Sequence, residues 1–136
     1  PDNTGDQGDY PLKTSVSRDG RFVVFSSSVS NLVSNDNNQL SDIFLHDRQR
    51  DEITLVTVSS NGPSFAPAIS ADGSTIVFAS DASNLVANDT NSRTDVFAYD
   101  RISRVTTRVS TKANGDQLTA PSTMPDVSAD GRYVVF

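Results

Sequence analysis

Two short stretches of this chain carry oxygen-bearing side chains at a spacing that suits a metal ion. In each stretch an aspartate is followed by an asparagine and then by a second aspartate at the start of an apolar run. Carboxylate and amide oxygens in one loop can converge on a hard cation, and Ca²⁺ prefers such ligands. The pattern lacks the glycine and the distal glutamate of an EF-hand, so it is a different motif. The candidate calcium ligands are Asp36, Asn38, Asp42, Asp89, Asn91 and Asp95.

The same residues have a second interpretation. Asp and Asn side chains commonly cap turns by accepting hydrogen bonds from main-chain N–H groups two residues further along a loop. Turn capping therefore stays open as an alternative to calcium binding at both stretches.

Catalytic residues are not indicated. The single histidine, His46, has Tyr99 as its counterpart in a second copy of the same pattern, and a position that accepts either ring favours packing over proton transfer. The chain contains no cysteine, which excludes a Cys–His dyad, a disulfide and a thiolate metal site within it. We therefore predict no catalytic residue and no cofactor other than Ca²⁺.

The chain repeats itself. Ser17 to Val56 aligns without a gap with Ser70 to Val109, and nearly half of the aligned positions are identical. A third copy opens near Pro125. A period of about fifty residues is typical of propeller blades and related arrays, whose units cannot bury their apolar faces alone.

Four runs of β-branched and aromatic residues in each copy predict four strands per unit. An Asp-Gly pair between the first two runs predicts a tight hairpin turn. Runs such as Phe22 to Phe25 are apolar at consecutive positions, which predicts that neighbouring units cover both faces. The predicted strands are 14–17, 22–27, 42–47 and 53–58 in the first copy, and 68–70, 75–79, 95–99 and 106–110 in the second.

Two further groups of charged residues have structural interpretations. The pairs Asp47-Arg48 and Asp100-Arg101 end the third strand of each copy, where an ion pair or a turn anchor would close the next hairpin. Basic residues on and beside the fourth strand of the second copy are expected to protect an exposed sheet edge. These residues are Arg104, Arg108 and Lys112.

The repeated motifs resemble a known family. They read Val-Ser-x-Asp-Gly-Arg-Phe/Tyr-Val-Val-Phe, then Asn-Leu-Val, Asp-x-Asn-x-x-x-Asp and Phe-x-x-Asp-Arg. With these motifs, nearly all of Thr14 to Phe136 resembles the bacterial WD40-like propeller repeats known as PD40, of the TolB type. The resemblance implies an all-β fold of four-stranded antiparallel blades around a central channel. It also implies a bacterial protein of the periplasm or the cell exterior.

Composition limits the partners. The net charge of −6 argues against a phosphate-binding surface, so we predict no nucleic-acid partner. No apolar run reaches the length of about 18 residues that a transmembrane helix needs, so we predict no transmembrane segment.

The repeat divides the chain into four predicted units. About two and a half blades are fewer than the roughly 4 to 8 of a closed propeller, so we expect closure by the remainder of a longer chain or by a homo-oligomer. The predicted units are 1–13, the tail of a preceding repeat; 14–66, the first blade; 67–124, the second blade with an inter-repeat segment; and 125–136, the first half of a third blade.

Three functions remain open. The first is a non-catalytic binding or scaffold segment that presents its loops to a protein or glycan and is stabilised by calcium. The second is the propeller part of a larger hydrolase or lyase whose catalytic residues lie outside this chain. The third is a self-assembling repeat unit, because the last hairpin offers an unpaired edge.

Overall fold

The computed structural model describes residues 13–136, and these residues form β-strands without any helix. The all-β prediction is confirmed, and no helix in the described range could cross a membrane. The predicted tail 1–13 falls, except for Lys13, outside the described residues. The strands are β1 (Thr14–Val16), β2 (Phe22–Ser27), β3 (Asp42–Asp47), β4 (Glu52–Leu55), β5 (Ser64–Ile69), β6 (Thr75–Ser80), β7 (Asp95–Asp100), β8 (Val105–Arg108), β9 (Asp126–Val127) and β10 (Val134–Val135).

The strands form two four-stranded antiparallel sheets and one hairpin. The first sheet, blade one, has the order β1-β2-β3-β4, and the second, blade two, has the order β5-β6-β7-β8. Strands β9 and β10 pair as the third hairpin. Two complete blades and the opening hairpin of a third are therefore present, as the repeat predicts.

Strand β5 differs most from its prediction. It begins at Ser64, so it crosses the predicted unit boundary between 66 and 67. The pairing register of β5 on β6 shifts between Phe65 and Ala68, and Ala66 in this bulge has a φ of 52°. Pro67 cannot donate a ladder hydrogen bond, and a bulge is a position in a sheet that tolerates proline. Because proline is unusual inside a strand, the sequence pattern did not predict the part of β5 before residue 68.

Each unit opens with the same hydrogen-bonded turn. In blade one the Ser17 hydroxyl donates to Asp19 Oδ1 at 2.6 Å and accepts the N–H of Phe22 at 3.0 Å. The same pair of bonds recurs at Ser70 and at Ser128. The glycine after each aspartate has a positive φ near 70°, as a tight hairpin turn requires.

The blades pack face to face through an apolar core. Strand β6 is buried on both faces from Ile76 onward because blade two, to which it belongs, lies between blade one and the third hairpin. Strand β2 alternates between buried and half-buried residues. Four phenylalanines stack in pairs, Phe25 on Phe44 and Phe78 on Phe97. The main buried cluster consists of Phe22, Val24, Ile43, Leu45, Val56, Ile69, Ile76, Phe78 and Phe97.

Candidate metal centre

The candidate calcium ligands lie in the long connections between the second and third strands of each blade. We call residues 28–41 the first loop and residues 81–94 the second loop. Asp42 is the first residue of β3 and Asp95 is the first residue of β7, and both are completely buried. The strong β-branched and aromatic pattern that follows each aspartate therefore fixes one side of each candidate site.

The first loop and the start of β3 each place one aspartate in the interior. Asp36 is only 5% exposed, and neither of its carboxylate oxygens has a hydrogen-bond partner. Asp42 accepts a hydrogen bond from the Thr57 hydroxyl at 2.5 Å through Oδ1, whereas its Oδ2 atom has no partner. Three buried carboxylate oxygens of Asp36 and Asp42 are thus left without a donor.

Burial raises the pKa of the Asp42 carboxyl, because the charged form loses its hydration. The hydroxyl of Thr57 and the amide of Asn38 oppose this change, and the negative charge of Asp36 adds to it.

Asn38 serves the loop as a cap. Its amide nitrogen donates to the carbonyl of Ser60 at 3.1 Å, and its side-chain oxygen accepts the N–H of Leu40 at 2.9 Å. Asn91 makes the corresponding turn with the N–H of Arg93 at 2.9 Å. The two asparagines therefore act as the turn-capping interpretation expects, whereas no main-chain N–H of the described residues donates to the side chain of Asp36 or Asp42.

The second loop has the same acidic pair but different surroundings. The Asp89 side chain is 3% exposed, and its Oδ1 atom lies 3.4 Å from Nη1 of Arg108. The side-chain amide of Gln117 donates to the same oxygen at 3.0 Å. Asp95 accepts hydrogen bonds from the Ser110 hydroxyl at 2.5 Å and from Asn91 at 2.9 Å. In this blade a buried arginine faces the acidic pair.

Desolvation and the charge of Asp95 raise the pKa of Asp89, while Arg108 and Gln117 lower it. The guanidinium thus offsets part of the cost of burying this carboxylate.

The position of Arg108 corrects one expectation. Arg104 and Lys112 are exposed, in keeping with protection of a sheet edge, but the Arg108 side chain is only 12% exposed. It points inward because it follows the alternation of β8 in its pairing with β7, opposite the buried Phe97. A signal was present in the sequence, since the aligned residue of the first copy is the apolar Leu55.

The Asp-Arg pairs at the end of the third strands act as turn anchors. Asp47 Oδ1 accepts the N–H of Gln49 at 3.1 Å, and the ion pair of Asp47 is with Arg21 instead of the adjacent Arg48. Arg48 donates to the carbonyl of Gly20 at 3.0 Å. The third-strand turn is thereby tied to the Asp-Gly turn of the same blade.

His46 lies half-buried on β3, with Nε2 at 3.2 Å from Asp51 Oδ1. Within residues 13–136, no group of three or more His, Cys, Asp or Glu side chains is arranged to hold a metal ion. A cation in the first loop would therefore need amide, main-chain or water oxygens in addition to the two carboxylates.

No protein-family model and no curated protein matches this chain. Among solved structures, TolB from Acinetobacter baumannii is 19% identical, with a TM-score of 0.59 over 92% of this chain and 26% of that one. A putative TolB from Agrobacterium tumefaciens is 20% identical, with a TM-score of 0.63 over 96% of this chain and 39% of that one. The β-propeller domain of the Trilobed protease from Pyrococcus furiosus, described as having an open velcro topology, is 17% identical, with a TM-score of 0.55 over 92% and 33%.

This chain therefore spans between 26% and 39% of the length of those structures. Likeness at this identity concerns the fold, and the fold it identifies is the β-propeller. The four-stranded antiparallel blades agree with that assignment.

Proposed function

We propose that this chain, which has the fold of a TolB-type β-propeller, is a non-catalytic binding or scaffold segment of an exported bacterial protein, stabilised in part by calcium. The likeness to two bacterial TolB structures supports a bacterial origin and a periplasmic or extracellular location. Propeller loops commonly carry the contacts with partners, and here the partner would be a protein or a glycan. Further strands, from a longer chain or from other copies, would complete the propeller.

The observation that carries this proposal is the use of polar groups to join the blades. The N–H of Arg18 donates to the carbonyl of Ala71 at 2.9 Å, and the N–H of Ala71 donates to the carbonyl of Ala129 at 3.0 Å. These residues occupy the same place in three successive Ser-x-Asp-Gly turns. Because these main-chain groups make the same contact in successive copies, their role is to hold the blades together, and they need no catalytic explanation.

The aspartates of the three Ser-x-Asp-Gly turns also have a structural role. Asp19, Asp72 and Asp130 lie beside one another at this end of the blades and line one shallow depression. The pKa of each is lowered, chiefly by the hydrogen bond from the serine of its own turn. Carboxylates held charged in this way stabilise the turns.

The loops at the opposite end of the blades are held in place before any partner arrives. Asn84 of the second loop accepts the N–H of Asn61 at 3.0 Å and donates to the carbonyl of Ser59 at 2.8 Å. Asn61 in turn accepts the N–H of Ser83 at 2.9 Å. A loop that is already ordered loses less conformational entropy on binding, which favours recognition.

A larger enzyme is the second candidate. The likeness to the propeller domain of a protease supports it, because in that protein the propeller accompanies a protease. In this case the catalytic residues would lie outside this chain.

Self-assembly is the third candidate, and the third hairpin supports it. Val135 is 66% exposed, whereas its counterparts Val24 and Val77 are completely buried. Strands from a second copy would cover this apolar position.

The test combines binding and activity measurements on the purified chain. We expect binding to a defined protein or glycan on arrays that carry both classes, and weaker binding after Asn84→Ala loosens the second loop. We also expect no turnover of peptide, ester or glycoside substrates. Turnover that His46→Ala reduces would contradict a non-catalytic role, and binding that Asn84→Ala leaves unchanged would contradict the loop as the contact surface.

A further inference from the structure

We propose that blade one, and not blade two, binds one hard divalent cation of the calcium type between Asp36 and Asp42. The inference rests on the calcium part of the proposed function and goes beyond it, since it assigns the cation to one of the two sequence motifs. In blade two the guanidinium of Arg108 takes the place of the cation.

The buried carboxylates of blade one have no positive charge to balance them among the described residues. Asp36 and Asp42 are 5% and 0% exposed, and three of their four carboxylate oxygens have no hydrogen-bond donor. Among the described residues, no Lys, Arg or His side chain forms an ion pair with either carboxylate. Residues 1–12 contain no basic side chain that could do so. Buried carboxylates of this kind need a bound cation or a proton.

The two copies of the repeat differ at one position close to the acidic pair. Leu55 pairs with Phe44 at the end of β4, and Arg108 pairs with Phe97 at the corresponding end of β8. Leu55 is buried and apolar, whereas Arg108 brings its charge to within 3.4 Å of Asp89. The acidic pair is kept in both blades, and the side-chain cation is present in one.

The ligand atoms available in blade one favour calcium over metals that prefer nitrogen or sulfur. The buried atoms of Asp36 and Asp42 that lack a hydrogen-bond partner are all carboxylate oxygens. Carboxylate oxygens supplemented by main-chain and water oxygens select Ca²⁺ over metals that prefer nitrogen or sulfur. A site with two carboxylates neutralises the charge of one divalent ion.

Calorimetric titration of the whole chain with Ca²⁺, after removal of metal with a chelator, tests the proposal. We expect one Ca²⁺ per chain and a higher melting temperature with Ca²⁺ than with chelator. Asp36→Asn should weaken the affinity at least about tenfold, because affinity follows the number of charged ligands. The matched change Asp89→Asn in blade two should leave the affinity for Ca²⁺ unchanged.

Leu55→Arg is a second test, and it leaves both proposed carboxylate ligands in place. It places in blade one the side chain that blade two already carries, so the chain should keep its fold in chelator and lose calcium binding. The proposal is overturned if the folded wild-type chain gives neither heat nor a melting shift with Ca²⁺. It is also overturned if Asp36→Asn or Leu55→Arg binds Ca²⁺ like the wild type. The loop-binding test of the scaffold role is done in chelator, so either idea can fail alone.

Discussion

Leu55 in blade one and Arg108 in blade two occupy the same register position. Leu55 lies opposite Phe44, and Arg108 lies opposite Phe97. The phenylalanines are equivalent and fully buried, yet the residues that face them differ in charge. Because Arg108 pairs with Asp89, one sequence motif in two blades gives two electrostatically different sites.

The ion pair between Arg21 and Asp47 gives a pH-dependent contribution to stability. Arg21 donates to both Asp47 oxygens, at 2.9 and 2.7 Å, and this pairing lowers the pKa of Asp47 from 3.8 to about 2. A carboxyl with a lowered pKa in the folded state stabilises the fold above its ordinary pKa. That contribution is lost as the pH falls from about 4 to about 2.

We therefore expect Asp47→Asn to melt below the wild type at pH 7 and at the same temperature near pH 2. Arg50→Ala is the control, because Arg50 is 3.9 Å from Asp47 and 71% exposed, and it should change the melting temperature little. A difference between Asp47→Asn and the wild type that persists unchanged at pH 2 would contradict this role.

Gly73 of blade two lies against the Phe22 ring of blade one. A Cβ atom at this position would lie 2.5 Å from the Phe22 ring, and Gly73 has a φ of 72°. Gly73→Ala should therefore destabilise the protein by more than the approximately 1–2 kcal/mol that a left-handed backbone costs a non-glycine residue. Chemical denaturation would measure the loss.

Gly115→Ala is the matched control for Gly73→Ala. Gly115 also has a positive φ, of 86°, but a Cβ atom there meets nothing within 4 Å. Gly115→Ala should therefore lower the free energy of unfolding only by the cost of placing a non-glycine residue in the left-handed region. Equal losses for the two substitutions would show that the contact with Phe22 contributes nothing.

The third hairpin should make the isolated chain self-associate. Val135 and Tyr133 are 66% and 65% exposed, whereas the counterparts of Val135 in both blades are fully buried. We expect light scattering to show oligomers or aggregates, and Val135→Lys to reduce them. Val16→Lys is a control at another exposed apolar position and should have less effect. A stable, well-folded wild-type monomer would contradict this expectation.

Much of the fold could be predicted from the sequence because local signals and the repeat agree. Asp-Gly pairs fix the hairpins, and the apolar runs of β2, β3, β6 and β7 match the observed strands closely. Strand β5 was predicted too short, since Pro67 interrupts the pattern and the bulge that accommodates it depends on pairing with β6.

The candidate site was predictable only in part. The spacing of Asp36, Asn38 and Asp42 identified the residues, but not which carboxylate oxygens lack a donor. The pairing of Arg108 with Asp89 depends on how a loop packs against the end of β8, and such a contact is tertiary. The sequence showed the difference between Leu55 and Arg108 without showing what each residue faces.

On our proposal, the charge at this register position decides whether a blade takes a metal ion. Native mass spectrometry of the wild type and of Arg108→Leu, each refolded with Ca²⁺, counts the ions directly. We expect one Ca²⁺ in the wild type and two in Arg108→Leu, whose melting temperature should fall in chelator and recover with Ca²⁺. A folded Arg108→Leu chain that carries no more Ca²⁺ than the wild type, or a wild type that carries none, would contradict it.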